Sequence, residues 1–418
     1  MNCPPVILSL PVILSEAKNL LPVILSPERS EGRRILSPRH SEGKARRILS
    51  SLLLFLATTP ALAFPENVRH GYASCSSCHV SPTGGGVLTQ YGRKSSEDFL
   101  ATWTREGEND PLWGAAELPP HVAVGADARY ISYKRDLGGV KTEQRFIMQV
   151  EGEVALRAGD KWWIDFSRGQ YNGYEQTQRA YALYQASENF YLRAGKFFAP
   201  FGIYEADHTT VTRRQLGFDQ GMETINLEAG VQSEAGEIIL TGVTGGTVTG
   251  NESFDPVNDS RGAVLRVAGY LGGNSQAGLS LLSTANDFLR RSAGGPFVMT
   301  GIGRDGWYLG EIDLEQKSFS ATGSIPARAV LSHHKIGWEG IGKILGNDSM
   351  RGLRLFVTWD SLVPVEGDVY SRQWSAGPGI QWFPRPHFEA SIQVQRVYHE
   401  ARSREPGQDI KMMAHMWL

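Results

Sequence analysis

Cys75, Ser76, Ser77, Cys78 and His79 form a Cys-x-x-Cys-His run whose residue types and spacing suit one kind of chemistry. Two thiols three positions apart can add across the two vinyl groups of one porphyrin, and the adjacent imidazole then reaches its iron from the same side. One short loop would supply both tethers and the proximal ligand. Cys75 and Cys78 are therefore the candidate covalent attachment points of one haem c, and His79 is the candidate ligand of its iron.

A zinc site or a redox dithiol would use the same two cysteines. The chain has 3 cysteines, and the third, Cys3, lies far upstream, so no second pair completes a zinc site. A thioredoxin-like dithiol belongs in a βαβ context. Here the motif runs instead into Ser81, Pro82, Thr83 and Gly84 to Gly86. An exported dithiol is the plain alternative to haem. No methionine occurs between Phe64 and Ile147, so a Met/His pair cannot come from this segment alone. His70 and His121 are the nearby candidates for a distal ligand, and Met148 and His208 are the more remote ones. A second histidine would set a lower potential than a methionine.

Several elements must position that loop. In a chain of 418 residues, 64–118 forms a segment too short to build a large core of its own, and a haem would supply its apolar centre. A short helix is predicted over Ser95 to Trp103, with Phe99 and Trp103 on one face. Pro119 and Pro120 close the segment.

Upstream, Pro-Val-Ile-Leu-Ser recurs at 5–9, 11–15 and 22–26, and Ser-Glu-Gly at 30–32 and 41–43. These short copies in 1–43 read as translated intergenic repeat or as an unstructured leader, not as a folding repeat. Residues 44–63 have the form of a secretory signal: Lys44, Arg46 and Arg47, then an apolar run from Ile48 to Leu56, then Ala61-Leu62-Ala63. Cleavage there would start the mature chain at Phe64. Export suits covalent haem attachment of this kind, which takes place outside the cytoplasm.

Composition removes other classes. The formal net charge of −2 leaves no polyelectrolyte footprint, so nucleic acid is not an expected partner. Beyond residue 63, no apolar run approaches the ~18 residues that a spanning helix needs.

From 121 to 418 the pattern changes to period two. In Arg145 to Arg157, Phe146, Met148, Val150, Val154 and Leu156 share one face, while Gln149, Glu151 and Glu153 share the other. Similar segments recur at 122–133, 162–171, 178–186, 190–198, 224–233, 238–246, 263–271, 277–283, 307–315, 327–338, 353–361, 374–383, 388–399 and 410–418. A further strand is expected in 205–220 or 296–303. Apolar residues toward lipid and polar ones toward a lumen make this the pattern of a transmembrane antiparallel β-barrel of about 16 strands. Tyr130, Tyr133, Trp162, Tyr171, Tyr181, Tyr184, Trp359 and Trp374 fall near predicted strand ends, where interface girdles would lie. The fold class is mainly β, and 64–118 is expected to plug the lumen.

Two resemblances follow from these residues. Tyr191 to Gly202, with its Gly195-Lys196 strand and Pro200-Phe201-Gly202 turn, resembles the strand-and-turn of phosphate-selective-type porins. In such a barrel Arg193, Lys196, Arg213 and Arg214 could line a pore constriction. A signal, one haem segment and a barrel in this order resemble the fused monohaem cytochrome–porins of the bacterial outer membrane, which include iron oxidases. Those oxidases carry an Arg-Gln-Thr-Gly-like run before the first cysteine, where this chain has Arg69, His70, Gly71 and Tyr72. The resemblance implies an outer-membrane electron carrier with a periplasmic cytochrome or other redox protein as one partner. An extracellular donor or acceptor, such as Fe(II), would be the other. The loop 251–259, with Glu252, Asp255 and Asp259, would attract cations. The alternatives are a diffusion porin with a periplasmic haem module for docking or sensing, and a periplasmic haem enzyme with an open iron site.

Overall fold

The computed structural model describes residues 65–418 apart from 73, 116, 172, 206, 208–209, 219–221, 246–259, 321–325, 348–349 and 368. The leader, the signal segment, His208 and the loop 251–259 lie outside the described residues. Sixteen antiparallel strands close on themselves. The first, β1 (Val122–Leu137), pairs with the last, β16 (Gly407–Trp417), from Asp127↔Trp417 to Asp136↔Gln408. Closure leaves no strand edge unpaired, which is what a sheet in hydrocarbon requires.

The pleat sorts the side chains. On β11 (Gly306–Phe319), Ile312 and Leu314 are 46% and 52% exposed on the outer face, whereas Glu311, Asp313 and Glu315 are buried on the lumen face. An apolar belt around a closed cylinder needs lipid against it, so this is an outer-membrane-type barrel. Among the described residues, no helix is long and apolar enough to cross a membrane. Rows of outward aromatics mark both ends of the belt. Trp162 packs on Tyr184 at a centroid distance of 4.7 Å, and Trp359 stacks on Trp374 at 6.0 Å. Three of the expected girdle residues face inward instead: Tyr171 and Tyr181 are buried, and the Tyr133 hydroxyl donates to Asp409 at 2.8 Å.

Two departures from strict alternation have local causes. In β2 (Val140–Ala158) the register shifts where Arg129↔Gln149 is followed by Tyr130↔Ile147, so Met148 is an extra, bulged residue. Beyond the bulge the faces exchange. Phe146 and Met148 line a lumen cavity, and Ile147 is 53% exposed. The further strand expected in 205–220 or 296–303 is β10 (Leu289–Ile302), which contains Gly294, Gly295 and Pro296. Pairing with β11 lapses between Gly294↔Leu314 and Phe297↔Glu311, where the proline has no N–H to give. The described residues of the alternative location, 205–220, hold no strand.

The two ends differ. Where β1 begins, the connections at 234–235, 272–274, 303–305 and 386–387 are tight. Those at the other end include 198–223 and 246–260. In barrels of this kind the short turns face the periplasm and the longer loops face outward. The segment before β1 enters at the short-turn end, and 198–223 folds down to meet it from the other. Gly202 donates its amide to Ser280 at 2.8 Å and Ile203 donates to Glu311 at 3.0 Å, so this loop lies inside the lumen.

Candidate functional site

The N-terminal segment is bound to the lumen wall along its length. A 3₁₀ turn, Pro65–His70, buries Val68 against Phe297, Met299, Trp307 and Leu309. Its polar neighbours meet wall partners: the Lys335 ammonium donates to Glu66 at 2.7 Å, Arg354 donates to Asn67 at 3.1 Å, and Arg69 pairs with Glu339. Further along, Arg193 donates to Ser81 at 3.1 Å and Thr83 at 3.0 Å, and Gln232 donates to the Pro82 carbonyl at 3.0 Å. The chain leaves along the periplasmic rim, where the Thr102 and Trp103 amides donate to the Phe383 and Pro384 carbonyls at 2.8 and 3.0 Å. Residues 65–103 are thus a lumen plug.

Within the plug, backbone bonds build the cysteine loop. The Cys78 and His79 amides both donate to the Cys75 carbonyl, at 3.3 and 3.1 Å, which winds the two thiols and the imidazole into a single turn. Both cysteines are free thiols. Val80 then pairs with Val87 at 3.0 Å and closes a loop over Gly84 to Gly86. Gly86 has φ of 71°, and a side chain there would collide with the Arg179 guanidinium. Helix α1, Gln90–Phe99, follows. The spacing had pointed to Ser95–Trp103, but the Thr89 hydroxyl caps the start by accepting from Gly92 at 3.1 Å and donating to the Ser77 carbonyl at 2.8 Å. Trp103 lies beyond the helix, against Trp382 at 5.7 Å.

Gly92 is what lets α1 press onto the cysteine turn, because a Cβ there would sit 2.3 Å from the Cys78 carbonyl oxygen. Gly92→Ala is expected to pry the helix away at a cost of about 1–3 kcal/mol, the usual penalty of overpacking. Protease cleavage within 90–99 should rise, while the folded barrel keeps its heat-dependent gel migration.

The chemistry converges on His79. It is buried, and its Nδ1 donates to the Gly86 carbonyl at 3.1 Å. That bond leaves the lone pair on Nε2, which is buried without a hydrogen-bond partner. Burial away from water pushes the ring's pKa down to about 4, so the imidazole stays neutral. A neutral ring with one nitrogen oriented and the other unsatisfied is the form that binds a metal. With two free thiols on the same turn, this donor set fits a covalently tethered haem. Burial and the neighbouring Cys75 also raise the pKa of the Cys78 thiol.

Two adjoining cavities surround the loop. Cys75 borders one of about 90 Å³, and His79 borders another of about 120 Å³. Gly85, Arg179, Tyr204 and Arg213 line both. The other predicted ligands lie elsewhere. His70 bonds the Arg69 guanidinium at 2.5 Å and packs on Phe99 at 4.3 Å. His121 is exposed at the start of the barrel, and Met148 lines a separate cavity at the loop end. The histidine that shares a cavity with His79 is His415, whose nitrogens face Glu389 at 3.2 Å and Asp127 at 3.0 Å. Sequence reading passed over it because a histidine near the end of a strand carries no local signature. Of the predicted constriction residues, Arg193 pairs with Glu228 at 2.7 Å, Arg214 lines the loop-end cavity, and Arg213 borders the two inner ones.

No family model matches the chain, and no curated protein matches it. Solved structures do. OmpT of Vibrio cholerae, expressed in the outer membrane, superposes with a TM-score of 0.54 at 6% identity, covering 72% of this chain and 99% of its own. An anion-selective porin from Comamonas acidovorans gives 0.53 at 8% identity, covering 71% and 99%. At such identities the likeness is one of fold. Both porins are covered almost end to end while more than a quarter of this chain has no counterpart in them, so the chain has the outer-membrane porin fold with additional sequence.

Proposed function

We propose that this chain is an outer-membrane electron-transfer protein that carries one covalent haem c inside a porin-like barrel. The observation that supports it most is the buried, unpartnered Nε2 of His79, one residue from a free cysteine pair, in a segment bonded to the lumen wall. Cys75 and Cys78 would tether the group and His79 would ligate its iron. When bound, the haem supplies reversible one-electron chemistry at the iron.

The chain's own residues supply the remainder. Gly86 orients the imidazole through its carbonyl, and the plug's bonds to Lys335, Arg354 and Arg193 hold the site at a fixed depth. Burial keeps water from the His79 nitrogen. The short-turn mouth faces a periplasmic cytochrome or other redox protein. The loop end opens into a cavity of about 730 Å³ lined by Tyr133, Arg135, Trp374 and Asp409, where an extracellular donor or acceptor can approach. Ferrous iron is one such donor. A diffusion porin with a haem docking module is the second reading, favoured by that open cavity and by the porin fold.

Visible spectra of the membrane-extracted protein, oxidised and reduced, test the proposal. The expected result is a c-type spectrum whose haem resists acid-acetone extraction. Protein without covalent haem from an export-competent host would overturn it. Reduction on adding ferrous iron at neutral pH would identify the donor, and no response would leave a carrier for another one.

A further inference from the structure

Five arginines border the two inner cavities, and four of them are neutralised by wall carboxylates. Arg179 meets Glu153 at 2.8 Å and Asp165 at 3.2 Å, Arg193 meets Glu228 at 2.7 Å, Arg129 meets Asp127 at 3.0 Å, and Arg266 pairs with Glu237. The fifth is different. Among the described residues, Arg213 has no carboxylate within 4 Å, although it is 8% exposed. One of its terminal nitrogens donates to the Phe218 carbonyl at 2.6 Å, and its Nε is buried without a partner. Glu311, farther off, accepts from the Ile203 amide at 3.0 Å.

A guanidinium cannot shed its proton in a protein, so burial without an anion leaves a full charge unmatched. The surroundings hold it in place. The Tyr204 ring lies 4.7 Å from its carbon and the Phe198 ring 5.7 Å, a pair of aromatic shelves on the loop 198–223. Tyr204 in turn stands over Gly85 in the cysteine loop, and Arg213 lines both the cavity that Cys75 borders and the one that His79 borders. The wall has supplied every neighbouring arginine with an acid and withheld one here, at the place where an anionic group attached to the cysteine loop would arrive.

We infer that Arg213 is a carboxylate-binding residue whose partner is a propionate of the tethered porphyrin. This rests on the electron-carrier reading above. The planar fork of the side chain matches a carboxylate with two parallel hydrogen bonds. Its charge favours the reduced, less positive iron, so Arg213 also raises the reduction potential.

The test is a spectroelectrochemical titration of the full-length, haem-loaded protein. In Arg213→Gln, the ratio of reduced to oxidised haem at the wild-type midpoint should fall about tenfold, equal to about 59 mV for one electron. Arg213→Lys, which keeps the charge and loses the fork, should fall by less. Both variants should keep covalent haem and heat-dependent gel migration, which separates the effect from misfolding. Sodium acetate should leave the wild-type midpoint unchanged, because the porphyrin carboxylate already occupies the site. A wild-type midpoint in Arg213→Gln would overturn the inference. So would an acetate-dependent midpoint that Arg213→Gln abolishes, since that would mark a site for free anions. A wild-type chain with no haem would overturn the parent reading and this one together, whereas a haem-loaded chain with an unchanged midpoint overturns this one alone.

Discussion

Lys335→Ala should loosen the plug and raise the conductance of the barrel in a planar bilayer. Lys335 lies on β12 (Ala327–Trp338), where its ammonium bonds Glu66 of the plug at 2.7 Å and also bonds Glu205 of the loop 198–223. One side chain joins wall, plug and loop. All three groups are buried. Glu205 keeps a second partner, His333 at 2.8 Å, but among the described residues Glu66 is left with no cation within 4 Å, Arg69 and Arg354 acting on it only from farther off. Removing one member of a buried pair costs about 3–5 kcal/mol, mostly the desolvation of the partner left behind.

That cost falls on docking and not on the barrel, whose ladder of backbone bonds does not involve Glu66. A shift of this size changes the ratio of docked to released plug by roughly two to four orders of magnitude. The wild type should conduct weakly and the variant strongly, and protease should reach 65–70 only in the variant. Lys335→Met combined with Glu66→Gln removes both charges and should recover part of the closure. High, steady conductance in wild type and variant alike would refute the plug as a barrier and favour the diffusion-porin reading.

The second large effect concerns the tether. Cys75→Ser with Cys78→Ser should abolish covalent haem completely, because serine oxygens do not form the thioether bonds. The same change should leave the barrel intact. The cysteine turn is held by backbone bonds to the Cys75 carbonyl, the plug by Lys335, Arg354 and Arg193, and strand pairing starts only at Val122. Haem staining of denaturing gels should fall to background while the unheated barrel migrates as before. His79→Ala separates the two roles of the motif: it should keep the stain and change the visible spectrum, since the tethers remain and the axial nitrogen is gone. Retained stain in the double serine variant would show that any haem present is held some other way.

Some of this architecture is legible in sequence because it is written over short distances. Attachment chemistry depends on two thiols and an imidazole within five residues, from Cys75 to His79, and no folding is needed to see it. Barrel strands announce themselves because a pleat repeats every two residues, so Glu311, Ile312, Asp313, Leu314 and Glu315 declare their faces one by one. The same rule fails where the pleat is interrupted. Pro296 and its glycines left β10 as one of two candidate locations, and the bulge at Met148 reversed the faces of Phe146 and Ile147, because a bulge is a property of two paired strands and not of one.

Aromatic side chains were ambiguous for a related reason. Tyr133, Tyr171 and Tyr181 suit a lipid interface by type, yet closure of the barrel turned them into the lumen. The sequence by itself determined the barrel class and set two thiols beside an imidazole, both by local spacing. Tertiary structure alone decided that Glu66 would meet Lys335, 269 positions away, that His415 would share a cavity with His79, and that Arg213 would stand there with no carboxylate within 4 Å among the described residues. Those relations belong to the inside of a closed cylinder. Strands distant in sequence face one another across it, and burial makes every unmatched charge count.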